Sequence, residues 1–224
     1  MLNILLIISL FLIAILHLSL GVFGIVLNRK SIIARFWFFV CLAIFFININ
    51  FVFSLLTPSK DLSILLNRFI HVGVACVVIL YFHFVLLFLL KPIGHFKKIL
   101  YLGYFMAIIV IIGSFTTFFI RGVSAGFGFD YWVDPGPLYS VILLYVIPFS
   151  TGGLYLLWDS YTKSDGLRKK RIFYVLIGTM IAMVGTGTSY LPQTLGIYPF
   201  GNFFAWVSPI LIFYGVYMDN LSKR

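Results

Sequence analysis

The chain has 224 residues, 62% of them hydrophobic, 19% aromatic and 10% charged, with a formal net charge of +10 and a mean hydropathy of +1.11. A soluble domain needs about 25% charged residues to cover its surface, so this composition excludes a water-soluble globular fold and intrinsic disorder with it. Two cysteines, Cys41 and Cys76, are too few for a disulfide scaffold, and inside apolar runs they read as small hydrophobes. What remains is an all-α polytopic membrane protein, in which seven spans of about 20 residues each leave only short loops.

The apolar runs predict a single seven-helix transmembrane domain, with helices at about 2–27, 32–56, 63–90, 99–120, 137–158, 171–191 and 201–217. The first run has no basic residue before it and no small-residue cleavage pattern, and it outlasts the apolar core of a signal peptide, so it reads as a retained span. Turn or charge chemistry marks each break, as in Asn28-Arg29-Lys30, Thr57-Pro58-Ser59-Lys60-Asp61, Lys91-Pro92-Ile93-Gly94 and Ser164-Asp165-Gly166. The 121–136 connection is the longest on its side. It sets Phe127, Phe129, Tyr131 and Trp132 beside glycines and two aspartates, the composition of a lid over the bundle mouth or of an interfacial anchor. Pro148 and Pro209 predict kinks inside helices five and seven. In helix six, Gly178, Ala182 and Thr186 form a small-residue stripe, which reads first as internal packing and second as the seam of a homodimer.

Basic residues set the expected orientation. With the N-terminus outside and the C-terminus cytoplasmic, the inner side holds thirteen lysines and arginines and the outer side only Lys60, Arg68 and Arg121. Anionic lipid head groups account for the inner excess, and nucleic acid is not an expected partner.

The chain contains no glutamate, and no aspartate lies near the centre of a predicted span. Proton-coupled carriers bury a carboxylate there. No lysine lies in the seventh helix to form a retinal Schiff base, and no phosphate loop, zinc motif or nucleophile elbow is present. His71 and His83 lie twelve residues apart, about 120° out of phase on one helix, so they make no ligand pair. These patterns predict no catalytic residue, no metal and no cofactor.

Polar side chains gather instead in the predicted outer halves of five helices. Asn48 and Asn50 lie in the second, Arg68 and His71 in the third, Tyr139 and Tyr145 in the fifth, Tyr190 in the sixth, and Asn202 and Trp206 in the seventh. Their convergence at one depth predicts an outward-facing ligand-binding pocket, mostly apolar with a few placed polar groups, with Arg68 near its rim. Such a site suits a small or amphiphilic ligand better than an ion. The seventh helix, through Trp206 and Pro209, is the expected signalling element.

Leu20-Gly-Val-Phe-Gly-Ile-Val-Leu-Asn28 with the basic pair after it, Arg35-Phe-Trp37, Gly136-Pro-Leu-Tyr139, Gly166-Leu-Arg-Lys-Lys-Arg171 and Leu191-Pro-Gln-Thr-Leu-Gly196 together resemble the seven-transmembrane N-terminal region of microbial membrane histidine kinases. The resemblance implies a sensory input module in the cytoplasmic (inner) membrane of a microbe, with an output partner such as a kinase beyond the seventh helix. With seven residues after Tyr217, any kinase domain is expected to lie outside this chain. A small seven-helix transporter is the rival reading. It requires two three-helix repeats, and the Pro192-Gln193 pair has no counterpart in the first half of the chain.

Overall fold

The computed structural model describes residues 1–189 and 196–221, apart from the side chains of 186 and 219–221. Among the described residues there are seven α-helices: α1 (Leu2–Leu27), α2 (Ile32–Leu56), α3 (Lys60–Phe88), α4 (Ile93–Ser114), α5 (Leu143–Thr162), α6 (Gly166–Thr188) and α7 (Val207–Leu221). One-turn 3-10 helices, Tyr139–Ile142 and Phe200–Phe203, lead into α5 and α7. Helices α1 to α4, together with the segment Tyr139–Thr162, are long and apolar enough to cross a membrane. This is a polytopic membrane protein.

Several helix ends lie away from the positions read in the sequence. α3 begins at Lys60 rather than 63, because Ser59 Oγ accepts from Leu62 N at 3.3 Å and caps the helix, so the charged pair forms its first turn. α4 occupies Ile93–Ser114 rather than 99–120. Lys97 and Lys98 lie in its first turns with exposed side chains, and Lys97 Nζ sits 5.6 Å from the Tyr101 ring centroid. At the other end, Ser114 and Thr116 hydroxyls donate to carbonyls of the last turn, and the chain leaves the helix there. α5 and α7 start six residues later than expected, each behind its 3-10 turn. α6 starts five residues earlier, so the basic run 168–171 is helical.

The 121–136 segment is neither a loose loop nor a helix. Ile120–Gly126 (β1) pairs antiparallel with Phe129–Pro135 (β2), with Gly126 opposite Phe129. The two turn residues, Phe127 and Gly128, have φ of +54° and +79°, as a tight hairpin turn of the primed kind requires. Val123, Phe129, Trp132 and Val133 are buried against the helix ends. Polar ties hold the hairpin in place: Asn3 Nδ2 donates to Gly128 O at 3.0 Å and Tyr131 OH to Pro58 O at 3.2 Å.

α3 is the central helix and touches α2, α4, α5 and both strands. One hydrophobic cluster joins α1, α3, α4, α5 and the hairpin. A second joins the start of α2 and the end of α3 to α6 and α7. In α6, Gly178 faces Ile212 and Gly185 faces Ala205, so its small residues bring α6 onto α7. Pro148 lies inside α5, whereas Pro209 falls in the first turn of α7, where a missing N–H breaks no helical bond and no kink follows.

Gly136 sits where the chain leaves the hairpin, and a Cβ there would collide with the backbone carbonyls of Thr117 and Phe118. Gly136→Ala is expected to lower stability by about 1–3 kcal/mol. Amide exchange should quicken in 120–135 while α6 stays protected, as mass spectrometry in detergent would show.

Candidate ligand-binding site

The helices enclose a cavity of about 190 Å3 that runs down the bundle from beneath the hairpin. Side chains of α1, α2, α3, α5, α6, α7 and β2 line it, and most of them are apolar. Among the described lining residues none is Asp, Glu, Lys or Arg. Among the described residues no group of three or more His, Cys, Asp or Glu is placed to hold a metal ion.

The polar lining follows one local rule. A polar side chain inside a helix can turn its donor back to a carbonyl one turn earlier. Asn48 Nδ2 donates to Ile44 O at 2.8 Å, and Asn67 Nδ2 donates to Ser63 O at 2.9 Å. His71 Nδ1 lies 2.8 Å from Asn67 O, and His17 Nδ1 lies 2.8 Å from Ile13 O. A carbonyl only accepts, so Nδ1 carries a proton in both rings. Tyr139 meets the His71 ring edge-on, with centroids 5.2 Å apart. Asn202 Nδ2 donates to Ser189 Oγ at 2.9 Å, joining the turn before α7 to the end of α6. Gly201 N to Thr188 Oγ1, at 3.0 Å, makes a second such link.

Of the residues the sequence singled out, Asn48, His71, Tyr139 and Asn202 line the cavity. Asn50, Arg68, Tyr145 and Trp206 do not line it. Asn50 is buried elsewhere and donates to Phe46 O at 2.7 Å. Tyr145 is fully buried and its hydroxyl donates to Ala75 O at 2.7 Å, so it ties α5 to α3. Trp206 is 37% exposed and its Nε1 donates to Phe203 O at 3.0 Å. Arg68 is half-buried with no partner for Nε. Tyr190 lies outside the described residues.

The cavity also takes residues that the sequence reading did not place there. Trp37, Tyr81 and Thr179 line its end away from the hairpin, His17 its α1 wall, and Tyr131 and Trp132 its cover. A lone tryptophan or threonine in an apolar helix carries no sequence signal of direction. The hairpin was the missing element that brings Trp132 under the mouth.

At the end opposite the hairpin, arginines close the helix termini. Arg168 Nη2 donates to Leu89 O at 3.3 Å, and Arg171 donates through Nε to Gly215 O at 3.2 Å and through Nη2 to Val216 O at 3.0 Å. Cations are favourable at these carbonyl-rich C-terminal turns. Asp159 bridges Lys91 and Lys163 at the same end, and that hydrogen-bonded carboxylate is the first cause holding the exposed Lys163 ammonium above its usual range.

Seven described helices, with five segments long and apolar enough to span a membrane, surround a cavity with no charged side chain among its described lining residues, and this places the molecule among multi-pass membrane proteins. Residues 9–223 match the model of the N-terminal 7TM region of histidine kinase, and the chain belongs to that family. A search of curated proteins finds no match to the chain. The family is a sensor region rather than a catalytic domain.

Trp132 is 5% exposed and packs against Phe51, Phe127 and Phe129. Trp132→Ala is expected to cost about 3–5 kcal/mol, the usual range for removing a buried aromatic ring. A denaturing-detergent titration of the purified chain would read that loss.

Proposed function

We propose that the chain is a sensory input module of the cytoplasmic membrane of a microbe, N-terminus outside, that holds a ligand in the cavity and signals through α7 to a cytoplasmic output partner such as a kinase. The chain itself carries out no catalysis in this reading. The observation that carries it is that Ile212 of α7 shares the cavity wall with the residues of α2 and α3. A ligand shifts a conformational equilibrium only by its different affinity for the two states. A helix that forms part of the pocket wall is where such a difference acts.

The path from that wall onward is packed. Gly178 of α6 sits against Ile212. The next residue of α7, Phe213, stacks on Phe23 at 5.6 Å, and more than a turn further on Tyr217 packs over Gly24, so a shift of α7 moves against α1. Arg171 holds the carbonyls of Gly215 and Val216. This reading replaces Trp206 and Pro209 with Ile212, Phe213 and Tyr217 as the working residues of the signalling helix.

The orientation rests on charge. Arg29, Lys30, Arg35, Lys91, Lys97, Lys98, Lys163 and the 168–171 run belong to the bundle end opposite the hairpin, and the positive-inside rule puts that end in the cytoplasm. A cysteine placed at Lys169 should resist an impermeant reagent added to intact cells, whereas one at Asp130 should react. The reverse pattern would invert the topology.

For coupling, a dimerisation-dependent reporter is fused after Arg224, and Val78→Trp, which fills the cavity, is compared with Ile212→Ala and the parent. Basal output at equal expression is expected to differ severalfold among the three. Identical output would remove α7 as the coupling element.

A further inference from the structure

The cavity is walled by a ring of helices in the order α1, α2, α3, α5, α6 and α7, with α4 packed outside on α3. Glycines fasten five of the six seams in this ring, at points where a Cβ would collide with the facing helix. Gly21 meets Cys41 between α1 and α2, and Gly73 meets Ile47 between α2 and α3. Gly153 meets Tyr81 between α3 and α5, Gly178 meets Ile212 between α6 and α7, and Gly24 meets Tyr217 between α7 and α1. Among the described residues no glycine makes such a contact between α5 and α6.

These two helices are joined at the end away from the hairpin. There Leu157 and Ile172 share one hydrophobic cluster, and the Tyr161 and Phe173 rings lie 5.9 Å apart. Toward the hairpin each turns to a different partner. α5 sends Tyr145 and Phe149 into the cluster of α3 and α4, while α6 lays Gly178 and Gly185 on α7. Among the described residues, the cavity wall between them is made by Val146 and Ser150 of α5 and Ala182 and Met183 of α6, all half-buried. Their chain neighbours Ile147 and Val184 are 53% and 62% exposed, so one layer of side chains separates cavity from lipid. Serine and alanine are small, and methionine is an easily rearranged apolar side chain. Pro148, between Val146 and Ser150, has no N–H for the carbonyl of Leu144, so α5 can bend here without breaking that hydrogen bond.

The ends of the cavity are closed. The hairpin covers one, tied to Asn3 and Pro58 with Trp132 buried, and Arg168 and Arg171 hold the helix termini at the other. With no Asp, Glu, Lys or Arg among the described lining residues, a charged ligand would meet no counter-ion in this low-dielectric interior. The volume, about 190 Å3, exceeds the ~150 Å3 of an engineered apolar cavity that holds benzene. Resting on the reading of this cavity as the ligand site, we propose that its ligand is a small, uncharged, apolar molecule dissolved in the bilayer, which enters sideways between the hairpin-side halves of α5 and α6. Such a molecule is concentrated in the hydrocarbon beside this seam before it binds. It passes Val146, Ser150, Ala182 and Met183 and leaves the hairpin in place.

The test uses the full chain in nanodiscs, with Trp158→Phe and Trp206→Phe, so that the remaining tryptophans, Trp37 and Trp132, both line the cavity. The probe is 1-bromohexane, an uncharged, lipid-soluble quencher of tryptophan fluorescence, and 6-bromohexanoate is its charged counterpart. Bromohexane is expected to quench saturably. Bromohexanoate should bind at least about tenfold more weakly, a buried unpaired charge costing more than that factor. Stopped-flow mixing with probe-loaded vesicles reads entry, and mixing with empty vesicles reads exit. Met183→Ala, which widens the seam, should raise both rates severalfold with little change in affinity. Ala182→Phe, which narrows it, should slow both; if that variant does not fold, Met183→Ala decides alone. Asn3→Ala, which frees the hairpin tip, should leave both rates as they are. Rates that ignore the seam variants, or that follow Asn3→Ala instead, overturn the lateral route. Absence of saturable quenching, or equal binding of bromohexanoate, overturns the ligand class. Saturable quenching with unchanged rates leaves the cavity standing as a ligand site. Reporter output that ignores cavity filling is the separate result that removes the sensory reading.

Discussion

Inside a bilayer there is no water to satisfy a polar atom, so each span closes its own backbone hydrogen bonds and each polar side chain must find a partner within the protein. Here the commonest partner is a carbonyl four residues earlier in the same helix: Ile13 for His17, Ile44 for Asn48, Ser63 for Asn67, Asn67 for His71 and Val110 for Ser114. This local solution lets polar residues sit in hydrocarbon without cross-linking the bundle. It also turns one donor of each such side chain onto its own helix, which orients the polar groups on the cavity wall.

Few side-chain hydrogen bonds run between helices, and those that do are placed where the bundle needs fixing. Tyr145 joins α5 to Ala75 in the central α3, and His83 joins α3 to Tyr104 of α4 at 2.9 Å. Asn202 and Gly201 join the entry of α7 to the end of α6, and Arg171 joins α6 to the far end of α7. Thus α7 is pinned to α6 at both ends while its middle, at Ile212, lies on the cavity wall. Helix–helix contact elsewhere depends on shape. Gly21 meets Cys41, Gly24 meets Tyr217, and Gly103 meets Ile79 and Phe149, each at a distance that a side chain would not permit.

The hairpin shows how an irregular segment is tolerated at the edge of such a bundle. Its strands pair with each other, its aromatic face is buried on the helix ends, and its remaining polar ties reach Asn3 and Pro58. Trp132 is the residue that links this cover to the cavity, packing on Phe51 of α2 and lining the mouth.

By itself the sequence determined the class of protein, because hydropathy and charge are properties of residues rather than of their arrangement: a chain this apolar and this poor in charge has no surface for water. It also showed where polar groups cluster along the helices, and Asn48, His71, Tyr139 and Asn202 were legible as one set for that reason. Direction was not legible. In helices apolar on every side, no hydrophobic stripe tells which face is inner, so Asn50 and Tyr145 looked equivalent to Asn48 and Tyr139, and Trp37, Tyr81 and Thr179 gave no sign of facing a cavity. Helix ends moved wherever a cap or a snorkelling lysine outweighed composition, as at Ser59 and Lys97. The hairpin was hidden because its pairing joins residues of a single aromatic, glycine-rich segment whose alternation becomes clear only against the helix ends it covers. Tertiary structure alone decided which of these side chains face the cavity, since that depends on what each helix packs against.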